Sequence, residues 1–167
     1  ASRFLTNTNF AIQPSLRVEI VDDDLKIINL EEQRISVSLN EDMVKKLSAN
    51  FDEQLSKQLQ DAKIWLGHFY KRQQLIYHCG ELMIQKQRLF FLQGSEFLLP
   101  CLQKDLAASL GVSASTISRL VRSKYIECSY GTILMNVLCQ RSIYGKSAVQ
   151  VKQLVAYYCT KYPKLSD

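Results

Sequence analysis

Gln103-Lys-Asp-Leu-Ala-Ala-Ser-Leu-Gly-Val-Ser-Ala-Ser-Thr-Ile-Ser-Arg-Leu-Val-Arg122 reads as two short helices folded about a turn. Leu106, Ala107 and Leu110 fall on one face of the first helix. Gly111 follows directly, and a left-handed glycine ends a helix there without a Cβ penalty. Val112 fills the gap, and Ser113 or Ser115 can cap the second helix, whose Ile117, Leu120 and Val121 point back at the first. Ala107 is small where the two helices approach. These spacings are those of a helix-turn-helix. Ser115, Thr116, Ser118, Arg119 and Arg122 are left facing outward, a short, hydroxyl-bearing and basic set that suits a groove of DNA. The competing reading is an ordinary helical hairpin inside a core.

Charge supports the first reading. Residues 1–100 carry 12 Lys and Arg against 13 Asp and Glu, whereas residues 101–167 carry 9 against 3. The basic part is the part with the helix-turn-helix, as expected of a phosphate-binding module joined to a neutral one. With 167 residues, 47% of them hydrophobic and 22% charged, the chain is globular and long enough for one large or two small domains. No apolar run reaches the length of a membrane span. The five cysteines are scattered and lack a CxxC pair, which predicts reduced thiols of a cytoplasmic protein.

Upstream the pattern changes twice. Residues 1–14 show little periodicity. From Leu16 to Leu39 the period is two: Leu16-Val18-Ile20 alternate with charges, Asp22-Asp23-Asp24 make a solvated turn, Leu25 to Leu30 form a second strand, and Ile35-Val37-Leu39 a third. A small antiparallel meander of this size needs helices to pack on. Asn40 can cap a helix from Glu41 to about Ala49, and Asn50 a second one with Glu53 as its capping-box partner. No proline interrupts the chain from there to Pro100. Leu55, Leu59, Ala62, Leu66, Phe69, Ile76, Met83 and Phe90 keep a near-heptad spacing, with Gln73 and Gly80 as interruptions. One very long helix, about Asp52 to Gln93, fits and would run roughly 60 Å. A break near Gly80, or a hairpin of two ordinary helices, is the alternative. The rest of the chain cannot cover a helix of that length, so part of its apolar stripe is expected to meet a partner.

Downstream, Lys124 to Cys128 and Ile133 to Leu138 read as two extended runs around Ser129-Tyr130-Gly131-Thr132, a hairpin placed like the wing of a winged helix. Ser147 with Gln150 opens a last helix, its apolar face being Val151, Leu154, Val155 and Tyr158. The final Ser166-Asp167 resembles the cap of a helix yet to come, which predicts that the natural chain continues. The fold class expected is therefore mainly α: a small N-terminal β meander, a very long helix and a winged helix-turn-helix domain, divided at 1–50, 51–94 and 95–167. Chemistry is sparse. His68 and His78 stand about 15 Å apart on one helix, too far to share a metal, and no phosphate loop, nucleophile elbow or Cys/His ligand set occurs. No catalysis, metal or cofactor is expected.

Val112-Ser-Ala-Ser-Thr-Ile-Ser-Arg119, then Lys124-Tyr125-Ile126 and Gly131, resemble the recognition helix and hairpin of the bacterial RNA polymerase sigma-54 factor. Ala62-Lys63, Arg72, Gln87, Phe90-Phe91 and Gly94 are similar to that family's long helix. Arg3-Phe4, Pro14 to Val18 and the run ending at Asn40 resemble the second half of its core-binding region, and Leu165-Ser166-Asp167 the link before its C-terminal promoter box. The resemblance implies a piece of a longer protein that works as a monomer with core RNA polymerase, promoter DNA carrying −24 and −12 elements, and an ATP-driven AAA+ enhancer-binding activator, in the bacterial cytoplasm at the nucleoid and not at a membrane. It also implies DNA contacts near −12 from Ser113, Ser115, Thr116, Ser118, Arg119, Arg122 and Lys124, with Arg119 the leading base contact. The chain departs from the family at Ser113-Ala114, where a His-Glu pair is common, and at Tyr130 and Asn136, where basic residues are usual. Loss of two phosphate contacts flattens the salt dependence of binding by about two units of log–log slope.

Two other classes of protein fit parts of the pattern. A ligand-controlled dimeric repressor would pair its long helices, but Gln73, Gly80 and Gln87 interrupt the seam such a dimer needs. A helix-turn-helix that binds only protein would not call for the basic balance of residues 101–167.

Overall fold

The computed structural model describes residues 12–48, 53–141 and 145–161. The long helix is present, and it runs through Gly80. α3 spans Glu53–Lys86, 34 residues or about 50 Å, and α4 continues over Arg88–Gln93. The interruption falls at Gln87, not Gly80. Gly80 is a notch: a Cβ there would lie 2.0 Å from Cδ1 of Leu16, so the missing side chain lets the N-terminal sheet sit on the helix. Gln87 leaves helical geometry (φ −98°, ψ 22°) while its backbone still bonds to Met83 and Phe91. Gly94, at φ +114°, then ends the run.

Burial along α3 is uneven. Its buried residues are Ile76, Cys79, Gly80, Met83 and Ile84, all in the C-terminal part. Ile64, Trp65 and Tyr70 lie exposed upstream, with Trp65 at 59% and stacked on Phe69 at 5.6 Å between ring centroids. The long helix therefore presents apolar surface that the described residues do not bury, as its length predicts.

β1 (Leu16–Val21) and β2 (Asp24–Asn29) form the expected hairpin. Asp22 and Asp23 take left-handed φ values of 51° and 61°, the turn that matches strand twist. That turn is not simply solvated: Arg88 holds the carboxylate of Asp24 and donates to the Asp23 carbonyl at 2.7 Å, and the contact draws the Asp24 carboxyl below its usual range. The third strand expected at 35–39 does not form. Asn29 caps a short helix instead, α1 (Leu30–Arg34), accepting from the Glu32 N–H at 3.3 Å, with Glu31 and Glu32 in its first turn. The carbonyls of Ile35 and Val37 are taken by Gln73 and Tyr70 of α3, so this stretch runs beside the helix without a ladder. α2 (Glu41–Ser48) begins at Asn40, whose side chain accepts from the Met43 N–H at 3.0 Å. The Asn50–Glu53 box lies outside the described residues.

β1 has its second partner more than a hundred residues downstream. β3 (Tyr125–Cys128) and β4 (Gly131–Leu134) make the second hairpin, and β3 pairs parallel with β1, Leu16 opposite Ile126 and Arg17 opposite Glu127. The sheet order is β2-β1-β3-β4. Arg17 and Glu127 bond at 3.0 Å across that junction. The second extended run stops at Leu134, because Met135–Leu138 turn into a 3-10 helix whose Met135 and Leu138 enter the core. One cluster joins Leu16 and Val18 of the sheet to Met83, Ile84 and Phe91 of the long helix and Ile117, Val121 and Ile126 beyond. Burial within it pushes the Cys79 thiol up to about 12, where it packs and does not ionise.

α7 (Ala148–Lys161) opens on the expected capping box: the Ser147 N–H donates to Gln150 at 2.9 Å and the Gln150 N–H to Ser147 at 3.3 Å. Its apolar face is not buried; Leu154, Val155, Tyr157 and Tyr158 are exposed.

Candidate nucleic-acid interface

α5 (Gln103–Ser109) and α6 (Ala114–Ser123) form the helix-turn-helix. The Val112 N–H bonds to the Ala107 carbonyl at 3.0 Å and the Gly111 N–H to that of Ala108 at 3.3 Å, with Gly111 at φ +63°. This pair of bonds around a left-handed residue ends α5 and turns the chain. Nothing stands within 4 Å of a Cβ built at Gly111, so backbone conformation, not space, selects glycine. Of the two candidate caps Ser113 is used: its hydroxyl accepts from the Thr116 N–H at 3.2 Å. The same oxygen lies 2.9 Å from that of Ser115 and 2.8 Å from that of Thr116. Three of the expected DNA-contact hydroxyls thus form one network at the start of α6, where backbone N–H groups and the helix dipole favour an anion. Ile117, Leu120 and Val121 are buried beneath.

The outward face differs from residue to residue. Ser115, Arg119 and Arg122 are exposed, and Thr116 and Ser118 are half-buried. Among the described residues no hydrogen bond or ion pair engages either guanidinium. Lys124 stands apart. Its ammonium is bound to Glu31 of α1, both side chains being 19% exposed, and Glu31 also accepts from the Ser15 hydroxyl at 2.7 Å. Burial works to raise the Glu31 carboxyl, but the bonds from Lys124 and Ser15, with the charges of Lys124 and Arg72, outweigh it and hold the group below its ordinary value of 4.5. A carboxylate whose folded pKa is depressed stabilises the fold above the unfolded pKa and loses that contribution as pH falls through the folded one. Below about pH 4.5 the urea midpoint of the native protein should therefore fall more steeply than that of a Glu31→Gln variant.

A cleft of about 660 Å³ opens between α3 and α6. Lys71, Gln74 and His78 line its α3 side, and Thr116 and Arg119 its α6 side. The resemblance implies that the long helix lies near the −12 element together with the helix-turn-helix, and the i, i+3, i+7 spacing of these three polar residues puts them on one helix face. Among the described residues no group of three His, Cys, Asp or Glu side chains could hold a metal ion.

A tightly capped basic helix, exposed along one face and set on a helix-turn-helix, defines a DNA-binding domain of that class. The chain belongs to the family described as "Sigma-54, DNA binding domain", which matches residues 52–159. It is 29% identical over 112 residues to an RNA polymerase sigma-54 factor of Salmonella typhimurium, which covers 59% of this chain and 24% of that one. It is 31% identical over 118 residues to the sigma-54 factor of Helicobacter pylori, covering 71% and 27%. The chain thus spans about a quarter of the length of these relatives. Its fold is that of Aquifex aeolicus sigmaN in a crystal structure bound to promoter DNA, with a TM-score of 0.66 and 23% identity over 92% of this chain and 48% of that one. The repressor reading is not favoured by any of these likenesses.

Proposed function

We propose that this chain is the part of a sigma-54-type transcription initiation factor that reads promoter DNA near the −12 element and joins core RNA polymerase. The observation that carries the reading is α6: its inner face is locked into the core, its start is capped, and Arg119 and Arg122 remain unpaired on its outer face among the described residues. Arg119 is the base contact, because a guanidinium offers the forked donors that guanine accepts in the major groove. Arg122 and the hydroxyl network at Ser113, Ser115 and Thr116 hold phosphates, and Ser118 adjoins them on the same helix. Lys124 serves this surface from behind, fixing β3 to α1 through Glu31. The family match and the named relatives support the partner class, core polymerase, and the exposed first part of α3 offers apolar surface for it. Activation by an AAA+ protein belongs to the same proposal and acts through the full-length factor.

The test is direct. At low salt, the chain should bind a duplex with an intact −12 element at least several-fold more tightly than one in which that element is scrambled, and should co-elute with purified core RNA polymerase. Equal affinity for both duplexes together with no co-elution would refute the proposal.

A further inference from the structure

Two cysteines meet where the helix-turn-helix leaves the long helix and the second hairpin returns to it. Cys101 stands just before α5 and is buried; Cys139 directly follows the 3-10 helix Met135–Leu138 and is half-buried. Backbone bonds hold these two stretches together. The Cys101 N–H donates to the Gln140 carbonyl at 3.0 Å, and Pro100 and Gln140 form a parallel bridge. Gln87 clamps the same two stretches from the long helix, through the carbonyls of Leu99 and Leu138. Side chains of extended backbone alternate in direction, so Cys101 and Cys139, each one position from the bridged pair, leave it on the same side. Their thiols are hydrogen-bonded to each other. The two sulfurs are therefore neighbours already in the reduced protein.

We infer that Cys101 and Cys139 are a reversible oxidation site, a dithiol that hydrogen peroxide converts to a disulfide across the base of the helix-turn-helix. The inference does not depend on the reading of α6. The Cys139 sulfur, the one of the pair that meets solvent, attacks a peroxide oxygen and breaks the O–O bond. Cys139 becomes a sulfenic acid, and the other oxygen leaves as water with the thiol proton. The Cys101 sulfur then attacks the Cys139 sulfur, and the hydroxyl leaves as water with the Cys101 proton. Two thiols and one peroxide give one disulfide and two waters. The bond from Cys139, helped by the charge of Lys86, outweighs burial and draws the Cys101 thiol below its ordinary range. The proton lies between the two sulfurs, so negative charge is available at Cys139 as well. Cys79 is close by but stays out of the reaction: its thiol faces the Met83 sulfur at 3.9 Å, and burial keeps it protonated. The new bond closes residues 101–139 into a ring that contains α5, α6, β3 and β4, and so restricts the unfolded chain of the DNA-binding part.

The experiment treats the reduced 167-residue chain with hydrogen peroxide and maps its thiols by alkylation and mass spectrometry. A cross-link between Cys101 and Cys139 is expected, with loss of two hydrogen atoms from the monomer, and dithiothreitol should restore both thiols. The oxidised protein should unfold at a higher urea midpoint than the reduced one. Cys139→Ser should lose both the cross-link and the midpoint shift, and Cys128→Ser should keep both. The mapping on the unsubstituted chain stands whether or not either variant folds. Free thiols at Cys101 and Cys139 after the exposed Cys159 is fully oxidised would overturn the inference. A sulfinic acid at Cys139 without a cross-link, or a disulfide from Cys139 to Cys79, would overturn it equally. None of these results bears on DNA reading by α6.

Discussion

Gln87→Leu should destabilise the domain by about 3–5 kcal/mol, although it replaces a polar side chain in the core with an apolar one of similar size. Gln87 is fully buried. Its amide nitrogen donates to the carbonyls of Leu99 at 2.7 Å and Leu138 at 3.0 Å, and its carbonyl accepts from the Leu99 N–H at 2.8 Å. The three backbone groups it serves lie at the entry to the helix-turn-helix and at the end of the 3-10 helix after β4. Leucine would leave all three without a partner, at roughly 1–3 kcal/mol each where burial is complete. Burying the apolar replacement returns only part of that. Urea unfolding checks the prediction: the midpoint should fall with the slope unchanged. A shift equivalent to under about 1 kcal/mol would mean that the backbone finds other partners.

Leu16→Ala should cost about 3 kcal/mol, and its cost should depend on Gly80. Leu16 is fully buried, begins the strand that joins the two hairpins, and puts Cδ1 into the notch over Gly80. Truncation removes the side chain that fills the notch and leaves a cavity. In the native protein, Gly80→Ala sets a methyl 2.0 Å from Cδ1 of Leu16 and forces that side chain to move, which offsets the gain of about 1 kcal/mol in helix propensity. With Leu16 already truncated, the same methyl enters empty space. Gly80→Ala is therefore expected to stabilise the Leu16→Ala variant while leaving the native protein no more stable. The double-mutant cycle should give a favourable coupling of about 1–2 kcal/mol, and additivity would refute the packing described here.

Both predictions concern contacts that the sequence concealed. What it disclosed were local rules: Gly111 at a left-handed turn, a serine cap at Ser113 or Ser115, Asn40 as another cap, the Ser147–Gln150 box, and the apolar face of α6 at Ile117, Leu120 and Val121. Each is a relation between residues at most four apart, and each forms as expected. The errors share a cause. Ile35-Val37-Leu39 has the alternation of a strand, but no neighbouring ladder is offered to it, and Tyr70 and Gln73 take up its carbonyls instead. The Asn29–Glu32 cap that starts α1 was readable from the same spacing used elsewhere. Gln87 looked like an interruption in a stripe because its partners, Leu99 and Leu138, lie 12 and 51 residues away. Nothing in either hairpin advertises that β1 pairs with β3, since parallel pairing across that distance leaves no periodicity.

The candidate site divides in the same way. That Ser115, Thr116, Ser118, Arg119 and Arg122 lie together on α6 outside its buried face was legible because one helix carries them. Lys124 belonged to the list by its neighbourhood in sequence, and its engagement with Glu31 is visible only once α1 is placed. Which residues of α3 face α6 was not legible, because their approach depends on tertiary packing.

The most direct measurement of the central claim compares the chain with Arg119→Ala on duplexes that keep or scramble the −12 element, at one salt concentration. If α6 reads that element through Arg119, the substitution weakens binding to the intact duplex by about 1–3 kcal/mol, roughly 5- to 150-fold, and changes binding to the scrambled one little. An equal loss on both duplexes would reduce Arg119 to a phosphate contact, and no loss on either would remove α6 from the DNA interface.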